Sequence, residues 1–171
     1  MAQVHGFPPV SRADARILIL GSMPSRESLA RQQYYAHPRN AFWPIITSLL
    51  GIPDPDYPAR VKRVRSRGVA IWDVLQACFR PGSLDSAIDD RSLVPNDFQP
   101  FFRRHPGLRK VFFNGAKAES IYLKKVLPGL DAAAAALPRQ RLPSTSPAHA
   151  GMTLEQKTAA WRVILEELQR P

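Results

Sequence analysis

The chain of 171 residues has a single cysteine and contains no long apolar run. Cys78 therefore has no partner for an internal disulfide, and one thiol cannot by itself hold a structural zinc ion or an iron–sulfur cluster. We expect a reducing, cytoplasmic environment and neither a metal nor another cofactor. No stretch approaches the roughly eighteen apolar residues that a membrane span needs, and residues 1–10 lack the pattern of a signal peptide. No membrane partner is expected.

Acidic residues are also few, with 14 Asp and Glu against 24 Lys and Arg, which leaves a net charge of +10. Such an excess attracts polyanions, and nucleic acid is the first partner to consider. A basic surface that only aids solubility would give the same count, so charge alone leaves both interpretations open. The length and the 44% hydrophobic content suit one core, and residues 1–171 are expected to form a single, monomeric domain.

Strand and helix patterns alternate along the chain, which predicts an α/β fold. Residues 16–20 form a continuous apolar run typical of a strand buried on both faces, and Gly21 ends it. Further strands are predicted at 69–74, 110–113 and 139–142, and helices at 42–50, 58–67, 95–104 and 117–126, with a final helix capped by Thr153 and Gln156. Residues 22–40 are predicted to be largely loop, and the alanine run at 132–136 fits either a helical turn or a strand. Together these elements predict a three-layer αβα sandwich around a four-stranded, mostly parallel sheet.

Two loops that leave predicted strand ends mix serine, proline and hydrogen-bonding side chains. The first runs from Gly21 to Trp43 and the second covers residues 142–148. In open α/β sheets, ligands bind at the carboxyl ends of the strands. Aromatic rings interleaved with amides and an arginine suit a pocket that stacks on a flat ring and hydrogen-bonds its edge. The loops therefore predict a site for a nucleobase.

Six short motifs in and around these loops resemble those of a known family. They are Gly-Ser-Met-Pro from Gly21, Tyr-Tyr-Ala-His-Pro-Arg-Asn-Ala-Phe-Trp from Tyr34, Trp-Asp-Val from Trp72, Gly-Ser-Leu-Asp from Gly82, Phe-Phe-Asn-Gly from Phe112, and Pro-Ser-Thr-Ser-Pro-Ala from Pro143. The chain is similar to the uracil-DNA glycosylase superfamily, most of all to its sixth family, the hypoxanthine-DNA glycosylases, and also to the mismatch-specific uracil and thymine DNA glycosylases. The resemblance extends from Ile17 to the final helix.

The resemblance implies a Rossmann-like three-layer fold and catalysis without cofactor or metal. It implies a monofunctional DNA glycosylase that flips a deaminated base, above all hypoxanthine, out of single- or double-stranded DNA. The enzyme would hydrolyse the N-glycosidic bond and so initiate base excision repair. Two positions depart from the mismatch-specific relatives, because Met23 and Leu142 stand where those enzymes carry polar residues. By similarity to the sixth family, the implied catalytic residue is Asn40.

An Asn at this position has a second interpretation, since Asn40 directly precedes a predicted helix and asparagine is a good helix cap. From the residues alone, the capping role is favoured, and the family resemblance reverses that preference. If Asn40 is catalytic, its amide NH₂ would hydrogen-bond the leaving purine or its carbonyl oxygen would hold the attacking water. The sequence leaves both roles open.

The resemblance and the strand-end positions also suggest binding residues. The predicted base-binding residues are Ser22, Met23, Tyr35, Phe42, Asp73 and Asn114. The predicted DNA-backbone and wedge residues are Ser144, Thr145, Ser146 and His149. Several have plainer interpretations: Tyr35 as core packing, Asp73 as a loop cap or a surface partner of Arg80, and Asn114 as part of an Asn-Gly turn. Ser146 is small and polar, which argues against a strong leucine-type wedge.

Three other functions compete with a hypoxanthine glycosylase. Xanthine or uracil are alternative bases, and a noncatalytic DNA-binding member of the same fold would be consistent with Met23 and Leu142. A nucleotide-binding hydrolase is disfavoured, because the chain has neither a P-loop nor a dinucleotide-binding glycine motif.

Overall fold

A four-stranded parallel sheet forms the centre of the protein in a computed structural model, which describes residues 3–53 and 55–171. Numbered along the chain, its strands are β2 (Ile17–Gly21), β3 (Val69–Asp73), β6 (Lys110–Asn114) and β7 (Arg139–Leu142), in the spatial order β3-β2-β6-β7. All neighbouring strands run parallel. The register pairs Gly21 with Asp73 and Asn114 with Leu142, so the polar strand ends meet at one edge of the sheet.

The two faces of this sheet carry separate hydrophobic clusters, because side chains alternate along each strand. Leu18 and Leu20 of β2 pack on one face, where α4 (Phe98–Arg104), α5 (Ala116–Ile121) and α6 (Ala132–Ala135) lie. Ile17 and Ile19 pack on the other face, which is covered by α2 (Phe42–Leu50), α3 (Tyr57–Ser66), α7 (Leu154–Trp161) and α8 (Val163–Gln169). This arrangement confirms the predicted αβα sandwich.

A second, antiparallel sheet was not predicted. It consists of β1 (Gln3–His5), β4 (Leu75–Phe79) and β5 (Val94–Pro95), in the order β1-β4-β5. Only Val74 separates β3 from β4, so no turn residues in the sequence mark where one strand ends and the next begins. Cys78 of β4 is fully buried in the cluster that also covers one face of the central sheet.

Helix α2 lies where it was predicted, and Gly51, with a left-handed φ of 63°, caps its C-terminal end. The predicted capping box of Thr153 and Gln156 is also present. Four details differ. Helix α1 (Arg26–Arg31), capped by Ser25, lies inside the predicted loop at 22–40. The helix predicted at 117–126 is α5 followed by a π-helical turn, the helix predicted at 95–104 begins only at Phe98, and the final helix divides into α7 and α8. No helix within the described residues is both long enough and apolar enough to cross a membrane.

Candidate active site

A cavity of about 320 Å³ opens at the carboxyl ends of β2, β3 and β6, between the two loops that the sequence singled out. It is called the base pocket below. Ten of the predicted site residues line it: Ser22, Met23, Tyr35, Asn40, Asp73, Asn114, Ser144, Thr145, Ser146 and His149. Phe42 does not line it. The pocket thus joins segments that are more than a hundred residues apart in the chain.

Three hydrogen bonds tie Thr145 of the second loop to the first loop and to the end of β6. The Ala41 N–H donates to the Thr145 carbonyl oxygen at 2.9 Å. The Asn114 amide accepts from the Thr145 N–H and donates to its hydroxyl, each at 2.9 Å. The Thr145 side chain is fully buried, so its hydroxyl serves this internal bond instead of facing a DNA backbone as predicted. Asn114 and Thr145 therefore shape the pocket wall.

Tyr35 is held in a left-handed conformation, with φ of 56°, that costs energy for a residue with a side chain. Its neighbours fix it there: the Trp43 indole N–H donates to the Tyr34 carbonyl oxygen, and the Ala36 N–H donates to the Ser28 hydroxyl. The Tyr35 ring stacks on Phe42 with 3.9 Å between ring centroids. Phe42 is fully buried, so it packs against the Tyr35 ring and does not make the direct base contact that was predicted for it.

Two polar atoms at the inner end of the base pocket have no hydrogen-bond partner among the described residues. They are the Tyr35 hydroxyl and the Asp73 carboxylate oxygen Oδ2, both buried. Gly21 lets them approach, because a Cβ there would lie 2.6 Å from Asp73 Oδ1 and 3.0 Å from the Tyr35 hydroxyl. Unpaired buried polar atoms cost about 1–3 kcal/mol each, which a ligand that pairs with them recovers.

The Asp73 carboxyl is an unusual acid. Burial, with a further contribution from Asp85, raises the pKa of Asp73 to about 7, and Arg80 offsets only part of this rise. Asp73 is buried and does not form the surface pair with Arg80 that was one of its sequence interpretations. Burial, followed by the Asp73 charge, likewise raises the pKa of the Tyr35 hydroxyl, and the nearby Asn114 side chain offsets only part of this rise, so the hydroxyl stays protonated.

Two functional candidates escaped the sequence analysis. Asp85 lines the pocket and accepts a hydrogen bond from the Ser22 hydroxyl. Arg80 is buried, and its guanidinium donates to the carbonyl oxygens of Met23, Pro24 and Gly82, which fixes the loop after β2. Asp85 belongs to the Gly-Ser-Leu-Asp motif that carries part of the family resemblance, so a signal for it was present.

Asn40 has the capping role that its sequence position suggested, and it also lines the pocket. Its amide oxygen accepts from the Phe42 N–H at 2.9 Å, which satisfies a free donor at the start of α2. Its NH₂ group has no acceptor within the described part of the chain, although the residue lines the pocket. The amide therefore retains two hydrogens that are free to donate to a ligand.

The remaining predicted residues are also placed by the structure. Ser146 organises its own turn, because its hydroxyl accepts from the Ala148 N–H and its carbonyl oxygen accepts from the His149 N–H. His149 is exposed at the pocket rim. Leu142 is buried in the core, which explains why an apolar residue is accommodated at the end of β7. Within residues 3–53 and 55–171, no three His, Cys, Asp or Glu side chains are grouped so as to hold a metal ion.

Comparison with known proteins places the chain in a family. The family profile described as the uracil DNA glycosylase superfamily matches residues 8–169. The chain belongs to this superfamily. A relative from Methanosarcina acetivorans, named hypoxanthine DNA glycosylase, is 40% identical over 134 residues, covering 72% of this chain and 84% of the relative. A second protein of that name, from Methanosarcina barkeri, is 37% identical over 116 residues, covering 67% of this chain and 72% of the relative.

A solved structure agrees with this membership of the superfamily. The solution NMR structure of a candidate uracil DNA glycosylase from Methanosarcina acetivorans superposes with a TM-score of 0.79 at 33% identity. The match covers 99% of this chain and 100% of that protein. The base pocket described above therefore lies in a fold that the superfamily shares.

Proposed function

We propose that the protein is a monofunctional DNA glycosylase that flips a deaminated base, preferentially hypoxanthine, out of DNA and hydrolyses its N-glycosidic bond. Such a reaction would initiate base excision repair. The observation that carries this proposal is the pair of buried, unpartnered polar atoms on Asp73 and Tyr35 inside a cavity sized for a small ligand. Superfamily membership and two relatives named hypoxanthine DNA glycosylase support the choice of DNA and of the base.

Hypoxanthine offers a ring N–H beside a carbonyl oxygen, and the two unpartnered atoms complement that edge. The Asp73 carboxylate accepts from the ring N–H, and the Tyr35 hydroxyl donates to the carbonyl oxygen. Adenine presents a ring acceptor in place of the ring N–H, so the bond to the ionised Asp73 carboxylate would be lost, whereas the Tyr35 hydroxyl can accept as well as donate. Xanthine and uracil share the N–H and carbonyl pair, which makes them the alternative substrates. Ser22, Met23 and Asn114 form walls around the base in this arrangement.

Bond cleavage builds negative charge on the departing purine and positive charge on the sugar. The free NH₂ group of Asn40 donates to the purine as this charge develops, while the amide oxygen stays bound to the Phe42 N–H. The lining residues Ser144, Ser146 and His149 stand at the rim, where the DNA backbone on either side of the flipped nucleotide passes. Ser146 occupies the wedge position in this proposal.

The test is a set of labelled duplexes that each carry one hypoxanthine, xanthine or uracil, with thymine mispairs as a further substrate. Alkaline cleavage of the abasic product measures single-turnover rates for the wild type and for Asn40→Ala. We expect the wild type to release hypoxanthine fastest and the variant to lose about 10²- to 10³-fold in rate. Gln76→Ala, which removes an exposed amide on β4 outside the pocket, is the matched control and should keep its rate.

The outcomes separate the competing functions. Faster release of xanthine or uracil would replace the proposed base. Duplex binding without any abasic product would favour the noncatalytic DNA-binding alternative. Full activity of Asn40→Ala on every duplex would remove Asn40 from the reaction while leaving the fold assignment intact.

A further inference from the structure

A second cleft adjoins the base pocket on the side of α7. It has a volume of about 310 Å³ and shares two lining residues, Asn40 and His149, with the base pocket. Whatever occupies this cleft is therefore next to whatever occupies the base pocket. It is called the cationic cleft below, after its other polar members, Arg39 and Lys157.

The charge of this cleft has one sign. Its lining contains Arg39, Lys157 and the titratable His149, but no aspartate or glutamate. Arg39 and His149 are exposed and accessible to a macromolecular ligand, whereas Lys157 lies at the inner end with only 5% of its surface exposed. Such an arrangement attracts an anion that enters from solvent.

Lys157 lacks the partner that a buried lysine normally has. Among the described residues, its side chain makes a single hydrogen bond, a long one of 3.5 Å from Nζ to the Ser146 carbonyl oxygen. No carboxylate of the described residues forms an ion pair with it. Burial also lowers the pKa of Lys157, because little water surrounds its charge. An incoming anion would supply the missing counter-charge.

We propose that the cationic cleft binds a phosphodiester of the DNA strand that directly adjoins the flipped nucleotide, with Lys157 and Arg39 as the phosphate contacts. The proposal rests on the proposed function for the identity of the ligand. A nucleotide whose base lies in the base pocket carries a phosphate on each side of its sugar, and the shared wall at Asn40 and His149 brings one of them to the cleft. Backbone contacts of this kind fix the register of a protein on DNA without reading its sequence.

The first test uses a duplex with a tetrahydrofuran abasic analogue, which cannot be cleaved and has no base. Binding is measured by fluorescence anisotropy across a salt series for the wild type, Lys157→Gln and Lys157→Arg. We expect Lys157→Gln to bind about tenfold more weakly and to reduce the slope of log K against log salt by about one. Lys157→Arg should retain most of the wild-type affinity and slope. Lys62→Gln, an exposed lysine on α3, controls for the loss of one charge.

The second test locates the phosphate. Neutral methylphosphonates replace the phosphates next to the analogue one at a time, on the 5′ side and then on the 3′ side. The wild type should lose affinity at one of these positions, and Lys157→Gln should be insensitive at that same position. Arg39→Gln, whose side chain is exposed, should show the same insensitivity even if Lys157→Gln folds poorly.

An unchanged salt slope and an unchanged methylphosphonate profile in both variants would overturn the proposal and leave Lys157 as a support for the Ser146 turn. So would a loss in Lys157→Gln that Lys157→Arg does not restore while Arg39→Gln behaves as wild type. Because the analogue has no base, these results do not depend on which base is excised. Failure of the wild type to cleave any base in the duplex panel would overturn the proposed function alone.

Discussion

At the scale of single residues, Asn40 serves two purposes that different substitutions separate. Asn40→Asp keeps an oxygen that accepts from the Phe42 N–H but removes the donor hydrogens, so we expect near-wild-type stability and a loss of at least about 10²-fold in base release. Asn40→Ala should lose the same activity and also about 1 kcal/mol of stability. Urea unfolding and single-turnover cleavage measure the two effects. Equal activity of Asn40→Asp and wild type would show that the amide hydrogens take no part.

Asp73 gives a pH dependence of stability whose direction is fixed by its raised pKa. The unfolded chain ionises this carboxyl near its ordinary value of 3.8, whereas the folded protein keeps the proton up to about pH 7. The free energy of unfolding should therefore fall by a few kcal/mol as pH rises from about 4 to about 7, because each unit of pKa difference corresponds to about 1.4 kcal/mol.

The variant Asp73→Asn should lack this decline, which urea unfolding at several pH values would measure as a flatter profile than that of the wild type. Asp14→Asn is the matched control, because Asp14 is an exposed carboxyl paired with Arg12 on the surface. It should reproduce the wild-type slope. Parallel profiles for wild type and Asp73→Asn would mean that Asp73 is ionised throughout this pH range.

At the scale of elements, the end of β2 must carry glycine. The Cβ of Gly21→Ala would lie 2.6 Å from Asp73 Oδ1 and would push the carboxyl away from the Tyr35 hydroxyl. We expect a loss of about 1–3 kcal/mol in stability and a loss of base release larger than that of any surface substitution. Gly129→Ala is the control, since nothing lies within 4 Å of its Cβ position. Single-turnover cleavage and urea unfolding measure the two losses. Normal base release by Gly21→Ala would contradict the prediction.

The attachment of the second loop to the end of β6 can be tested at Thr145. Thr145→Val keeps the shape of the side chain but leaves the Asn114 NH₂ group buried without its acceptor, which should cost about 1–3 kcal/mol. Because the same loop forms one wall of the base pocket, cleavage should slow as well. Thr158→Val on α7 removes a hydroxyl of the same kind that only bonds within its helix, and should have a much smaller effect on both measurements.

The elements that could be predicted are those whose signal is local. The strand at residues 16–20 is a continuous apolar run, and α2 combines helical spacing with Gly51 at its end, so both appeared where expected. Strand β4 was missed because only Val74 separates it from β3, and because it pairs with β1 near the start of the chain and with β5, which has only two residues. Helix α1 was missed because six residues between two prolines carry little periodicity.

The candidate site follows the same division. The loops at strand ends and the family motifs predicted which segments meet, including Asn40 and Asp73. The sequence could not predict that Arg80 turns inward to hold the loop after β2, because this depends on packing between distant segments. It also could not predict that Phe42 stacks on Tyr35, because this depends on the left-handed turn of the backbone at Tyr35. The hydrogen bonds between Asn114 and Thr145 also join segments that are distant in the sequence.

At the scale of the whole molecule, the net charge of +10 predicts strong but unselective attraction to DNA. Undamaged duplex should bind with a steep dependence on salt, and the association rate with any duplex should fall as ionic strength rises. Discrimination between damaged and undamaged DNA should change far less with salt, because it arises in the base pocket. Stopped-flow anisotropy with damaged and undamaged duplexes measures the association rates. Rates that do not respond to salt would contradict the predicted electrostatic attraction.

The bonds from Ala41 and Asn114 to Thr145 have a consequence for how the enzyme uses its binding energy. Since folding alone already joins the second loop to the first loop and to β6, the entropy of ordering these segments is lost before any DNA arrives. Contact with a nucleic acid can then be devoted to unstacking and rotating one nucleotide. A preorganised receptor of this kind should show little structural change between its free and product-bound forms.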